Sequence, residues 1–166
     1  MILFLDFDGV VHPEPCFTKD KEFQSLPLIE AVLREFPTVE VVISSAWRLD
    51  WFIDLWPPAE GECVIALRKH FSDDIQPRVV GATPDFRYCH PNRLPEGLDA
   101  FIRQFECEAW LRENRPPWTP WLAVDDRAWW FKPFCKNLLE VSDPTVGFTQ
   151  SHAVELRTRL QKLRNA

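Results

Sequence analysis

Glycine is scarce in this chain, with five residues in 166 against fifteen prolines. That balance excludes a flexible low-complexity polypeptide and predicts stiff, well-defined loops that interrupt any long helix in the middle of the sequence. Paired cysteine chemistry is missing too. Cys16, Cys63, Cys89, Cys107 and Cys135 are odd in number, widely spaced, and free of any Cys-x-x-Cys pair or matching histidine cluster. They read as reduced, partly buried thiols. There is no surplus of positive charge: a net charge of −6 gives no general attraction to nucleic acid or to an anionic membrane, so such a partner needs a local basic patch. No basic-then-apolar leader stands ahead of the first acidic residue, and no apolar run approaches the length of a membrane span. A cytoplasmic location is the expectation. Internal repeats and linkers are also lacking.

What is present suits a folded protein. Apolar residues make up 46% of the chain and charged residues 27%, and the length allows one compact domain over 1–166 but hardly two. The run Ile2-Leu3-Phe4-Leu5 is a short apolar segment that ends at Asp6-Phe7-Asp8-Gly9, the pattern of a strand buried on both faces and closed by a glycine turn. Pro27 to Phe36 has Leu28, Ile29, Val32, Leu33 and Phe36 at helical spacing, and Pro37 stops it. Val39 to Ile43 is rich in β-branched residues and closes on Ser44-Ser45, which predicts a second buried strand. Strand, helix and strand form a βαβ unit with a right-handed crossover, so both strands deliver their carboxyl ends to one edge of a sheet.

Further along, Leu49 to Trp56 reads as a short buried helix ended by Pro57-Pro58, and Cys63 to Leu67 fits either a strand or a helix. Arg78-Val79-Val80 before Gly81 suggests a short strand. Asp99 to Arg115 is a helix by the spacing of Ala100, Phe101, Phe105, Ala109, Trp110 and Leu111. Trp121-Leu122-Ala123-Val124 is a third apolar strand, and it delivers Asp125-Asp126. Leu138 to Val141 suggests another strand, and Ser151 to Arg164 a closing helix with Val154, Leu156, Leu160 and Leu163 on its apolar positions.

Three predicted strands thus end in Asp6-x-Asp8, in Ser44-Ser45 and in Asp125-Asp126. Converging carboxylates repel one another and take up protons unless a cation sits among them. Oxygen donors with no histidine or cysteine nearby favour a hard ion such as Mg2+, which usually keeps several waters beside one or two carboxylates.

These motifs, in this order, resemble those of the haloacid dehalogenase (HAD) superfamily of aspartate-nucleophile phosphotransferases. Asp6-Phe7-Asp8-Gly9 matches its first motif, Ser44 its second, and Asp125-Asp126 its fourth. Asp8-Gly9-Val10-Val11-His12-Pro13, Ser44-Ser45-Ala46-Trp47-Arg48 and the Arg103-x-x-Glu106 helix with Trp110-Leu111 resemble more closely the HAD domain of Swiss Army Knife RNA repair proteins. The resemblance implies an α/β fold, a Rossmannoid doubly wound parallel sheet, with no cap or only a minimal insertion. It implies a phosphomonoester hydrolase in which Asp6 attacks phosphorus and Asp8 protonates the leaving oxygen and then activates water. Ser44 would bind the phosphoryl oxygens. Mg2+ would be held by Asp6, the Asp8 main-chain carbonyl and Asp125, with Asp126 binding it through water or orienting a basic residue. For the basic residue of the third motif, Arg103 has the best position, with Arg93 and Lys132 as rivals.

Several other residues admit two readings. Trp47, Trp51, Trp129 and Trp130 lie near the predicted catalytic edge, where they either stack on a base or pack the sheet. Arg48 and Arg127 flank two motifs, as phosphate ligands or as partners in structural ion pairs. His12 is a base, a metal ligand or, beside Pro13, a shaper of the loop. His70, His90 and His152 show no ligand spacing. The space from Val10 to Pro27 is too short for a folded cap, and that from Leu49 to Leu98 has room for loops or a small subdomain but not for a large cap, which suits an open site for an RNA or oligonucleotide end. A free nucleotide or sugar phosphate, or a non-catalytic module that binds phosphorylated ligands, are the alternatives, and no membrane or stable protein partner is expected.

Overall fold

The computed structural model describes residues 1–49, 62–86 and 98–165. The expected helix from Leu49 to Trp56 falls almost wholly outside these residues, as do Arg93, Trp51 and Cys89. Five strands form one parallel sheet: β1 (Ile2–Leu5), β2 (Glu40–Ile43), β3 (Val79–Ala82), β4 (Trp121–Asp125) and β5 (Leu138–Glu140), in the spatial order β3-β2-β1-β4-β5. Among the described residues four α-helices accompany it: α1 (Leu26–Glu35), α2 (Glu62–Arg68), α3 (Ile102–Asn114) and α4 (Gln150–Arg164). The sheet is doubly wound.

Alternation along the central strand divides the core. Leu3 and Leu5 pack into a large cluster with Val41, Ile43, Val124 and Leu139, covered by Ile29, Val32 and Leu33 of α1 and by Leu156 and Leu160 of α4. Ile2 and Phe4 face the other way, into a smaller cluster closed by Cys107 and Trp110 of α3 and by Phe131. Both faces of β1 are dry, which is why its sequence is continuously apolar.

Cys63 to Leu67 resolves as helix. Val64 and Leu67 turn inward while Ile65 is 59% exposed, an amphipathic pattern with helical and not alternating period. The strand expected at Arg78-Val79-Val80 starts only at Val79, Arg78 closing a 3-10 turn, and runs on through Gly81 to Ala82; the indole of Trp110 lies across Gly81, where a Cβ would come within 2.9 Å of Trp110 Nε1. In α3 the apolar spacing held for Ala109 and Trp110, which are buried, but missed the polar part of the inward face. Arg103, Gln104 and Glu106 are buried beside Ile102, Cys107 and Trp110, whereas Ala100 is exposed. Similarly, Val154 of α4 is 54% exposed, and Ala153, Leu156 and Leu160 form the packed stripe. Among the described residues, no helix is long and apolar enough to cross a membrane, and Cys16, Cys63, Cys107 and Cys135 are free thiols.

Candidate active site

Strand register gathers the acidic residues. Leu5 pairs with Ile43 on one side and Val124 on the other, so the next residue, Asp6, lies between Ser44 and Asp125 at the carboxyl edge of the sheet. The main chain continues the ladder by one step, with Ser44 N–H donating to Leu5 O at 3.0 Å and Asp6 N–H to Val124 O at 3.1 Å. β1 and β4 are also the strands at which the order of the sheet reverses, the position where open α/β folds open a crevice for ligands.

Asp6, Asp125 and Asp126 each present a carboxylate oxygen, and the three oxygens lie within 4.8 Å of one another. All three residues are buried. Burial, followed by the charge of Asp6, pushes Asp125 up to about 8; the same two causes, partly offset by Arg127, push Asp126 up to about 6. Asp125 Oδ2 and Asp126 Oδ1 have no hydrogen-bond partner among the described residues. Buried carboxylate oxygens left unpaired in this way are costly unless a cation or water meets them, and an all-oxygen donor set fits a hard divalent ion.

Gly9 makes the cluster compact. Its φ is +71°, and a Cβ would approach Asp126 Cγ and Oδ2 to 2.9 Å. The turn after β1 therefore needs glycine both for its backbone conformation and for the close approach of Asp126.

A cation is already built in beside the acids. Arg103 is 2% exposed, with Nε at 3.4 Å from Asp125 Oδ2 and Nη1 at 3.0 Å from Glu106 Oε2. Burial works against its charge, but Asp6, Asp125 and Glu106 outweigh burial and hold its pKa above the ordinary value. Of the three residues proposed for the third motif, Lys132 is elsewhere: its ammonium lies 4.9 Å above the Phe105 ring and the residue is exposed. Arg93 is outside the described residues.

Arg48 does not reach toward ligand. It is 4% exposed and donates to the carbonyls of Ser44, Ser45, Thr83 and Pro84 and, at 2.8 Å, to Glu106. Its role is to tie the end of β2 to the segment after β3 and to fix Glu106, which in turn orients Arg103. Arg127 pairs with both carboxylate oxygens of Glu14 at 2.8 and 2.9 Å and lies over Trp130, as does Arg103. Trp129, by contrast, is 64% exposed. A cavity of about 490 Å3 bounded by Lys132, Phe134, Glu140, Glu155 and Arg159 belongs to the β5 edge and includes none of the acidic cluster.

The side chain of Asp8 is not part of that cluster. Its Oδ1 is 2.9 Å from His12 Nε2, and Trp47 Nε1 donates to Oδ1 and Oδ2 at 3.1 Å each. Burial would raise Asp8, but those hydrogen bonds, with the charge of Arg127, hold it below the usual carboxylate range. The link from His12 and Trp47 to Asp8 was not anticipated from sequence. The spacing of four residues between Asp8 and His12 across a glycine turn was its only local signal.

A family model described as the HAD domain in Swiss Army Knife RNA repair proteins matches residues 2–153. No curated protein and no solved structure matched the chain.

Proposed function

Because the chain belongs to the family of HAD domains in Swiss Army Knife RNA repair proteins, and so is a hydrolase of HAD type, we propose that it is a Mg2+-dependent phosphomonoesterase that works through an aspartyl-phosphate on Asp6. The observation that carries this reading is the buried Asp6, Asp125 and Asp126 cluster, with two oxygens that accept no hydrogen bond among the described residues, beside the buried Arg103. One domain over 1–166 would hold the whole site.

Asp6, Asp125, Asp126 and the main-chain carbonyl of Asp8 would hold Mg2+. When bound, the ion supplies positive charge to the phosphoryl oxygens and keeps the neighbouring carboxylates ionised. The residues do the rest. An Asp6 oxygen forms a bond to phosphorus as the ester P–O bond breaks, and the leaving oxygen takes a proton from the Asp8 carboxyl. Water then attacks the same phosphorus, gives its proton to Asp8, and the bond to Asp6 breaks. Ser44 donates to the transferring group. Arg103 holds the Asp125 carboxylate and offsets charge at Asp6.

The described segment after β1 bears on the substrate class. Residues 10–25 form a loop with one 3-10 turn and no inserted sheet or helix, which suits a macromolecular end such as an RNA or oligonucleotide terminal phosphate. The test is hydrolysis of an aryl phosphate with and without Mg2+, by wild type and Asp6→Asn. Activity should require both the metal and Asp6, and equal activity in the variant would refute the covalent route. Comparison of kcat/KM for end-phosphorylated RNA, mononucleotides and sugar phosphates then ranks the substrates. RNA ends that fail to exceed mononucleotides would leave a small-molecule phosphatase.

A further inference from the structure

The four residues that follow Asp8 curl back on it. Val10 and Val11 N–H both donate to Phe7 O, at 3.0 and 2.8 Å, and Asp8 and His12 form a bridge. This brings a fully buried imidazole against a carboxylate whose side chain is 36% exposed. The other ring nitrogen of His12 is not free either. Phe23 N–H points at His12 Nδ1 at 3.5 Å, and Phe23 adopts a φ of +58°, a left-handed conformation that a non-glycine residue takes only where its surroundings impose it. The surroundings are aromatic: Phe23 stacks on His70 at 4.1 Å and meets Phe7, His12 and Trp47 edge-on.

Hydrogen-bond direction follows from this arrangement. A main-chain N–H can only donate, so Nδ1 is the accepting nitrogen and Nε2 carries the ring proton that is given to Asp8. Trp47 Nε1 can likewise only donate. Two donors from separate segments, one after β1 and one after β2, therefore grip a single carboxylate. Oδ1 is taken by His12 and shared with Trp47, whereas Oδ2 has only the Trp47 contact and keeps accepting capacity for a ligand.

We propose that His12 and Trp47 are positioning residues that hold the Asp8 carboxyl in one orientation for proton transfer to the leaving oxygen, so that the site handles esters with poor leaving groups. This rests on the phosphatase reading above. The proton goes from the Asp8 carboxyl to the leaving oxygen as the P–O bond breaks, and the carboxylate that results is the form His12 and Trp47 grip. Water returns the proton in the second step, so no further reactant is needed.

Leaving-group dependence separates this role from mere packing. A nitrophenolate departs without help, whereas an alkyl or nucleoside oxygen needs the proton. The measured quantity is kcat/KM, which covers the steps up to phosphorylation of Asp6. Trp47→Phe keeps the ring contacts and removes the N–H; His12→Asn places its amide near Nδ1, and His12→Gln places it near Nε2. Trp47→Phe and His12→Asn should lower kcat/KM for a nucleoside monophosphate about tenfold or more while leaving that for nitrophenyl phosphate within about twofold, and His12→Gln should restore much of the loss. Equal losses on both esters, or Asn and Gln acting alike, would overturn the inference while the phosphatase reading stands. If Asp6→Asn remains as active as wild type, the reading itself falls and takes this role with it. Nitrogen NMR of the resting wild-type protein tests the geometry without turnover: His12 should carry its proton on Nε2, and a proton on Nδ1 would refute the assignment.

Discussion

Asp125 has no solvent exposure, a guanidinium at 3.4 Å and two carboxylates as neighbours. Arg103 is the only charge compensation the described protein itself supplies at that distance, so Arg103→Ala should leave Asp125 and Glu106 buried without it. Loss of one partner from such a buried set costs about 3–5 kcal/mol, and a clear fall in Tm is expected; a variant that melts with wild type would mean the contact is slack. Arg103→Lys should recover only part, because a compact ammonium cannot hydrogen-bond Glu106 and at the same time keep positive charge beside Asp125 as the extended guanidinium does. The acids themselves were legible in the sequence, since each follows an apolar strand. Their electrostatic partners were less so. Arg103 was one of three alternatives, because an arginine on a helix carries no mark of being buried, and nothing local announced that Arg48 would spend its donors on carbonyls and Glu106.

At the level of elements, two glycines show how the turns and strands shape the site. Gly9→Ala should impair activity more than stability: its φ of +71° disfavours a side chain, and the added Cβ would press on the Asp126 carboxylate. Gly81→Ala should do the reverse. The indole of Trp110 must shift to admit a methyl group, at about 1–3 kcal/mol, but β3 is an edge strand separated by β2 from the acid-bearing β1 and β4, so kcat should hold while Tm falls. Steady-state kinetics and thermal melts on the pair would show whether the two effects separate in this way. Helix α3 explains where apolar spacing misled. Its inward face carries Arg103 and Glu106 because the site needs charge there, so the hydrophobic pattern of Phe101, Phe105 and Leu111 pointed to a face that is only partly buried. The central strands β1, β2 and β4 gave no such difficulty, being largely apolar and buried on both sides. The tryptophans divide: Trp110 packs the smaller core cluster, Trp47 is half-buried on Asp8, and Trp118 and Trp129 are exposed at 81% and 64%.

For the whole molecule, the acidic cluster couples folding to pH and to metal. Without a cation, Asp125 raised to about 8 and Asp126 raised to about 6 keep protons in the folded state that an unfolded chain, with ordinary carboxyls near 4, releases. The folded form then binds more protons than the unfolded form between about pH 4 and pH 8, so this contribution to stability declines as pH rises through that window. Mg2+ needs ionised carboxylates and should act in the opposite sense, raising Tm more at about pH 8.5 than at about pH 6. Asp125→Asn should flatten both dependences. If Mg2+ raised the Tm of that variant as much as that of wild type, the cation would be binding elsewhere.

The central claim is that phosphate passes through Asp6, and its most direct test is the mass of that residue during turnover. Asp8→Asn protein, with Mg2+ and nitrophenyl phosphate, can lose the leaving group unaided but lacks the base for the second step, so the intermediate should accumulate. After acid quenching and digestion, the peptide that contains Asp6 is predicted to carry one phosphoryl group on Asp6, and the same peptide from Asp6→Asn none. Release of nitrophenol by a protein whose Asp6 stays unmodified, or a phosphoryl group found on another residue, would contradict the account.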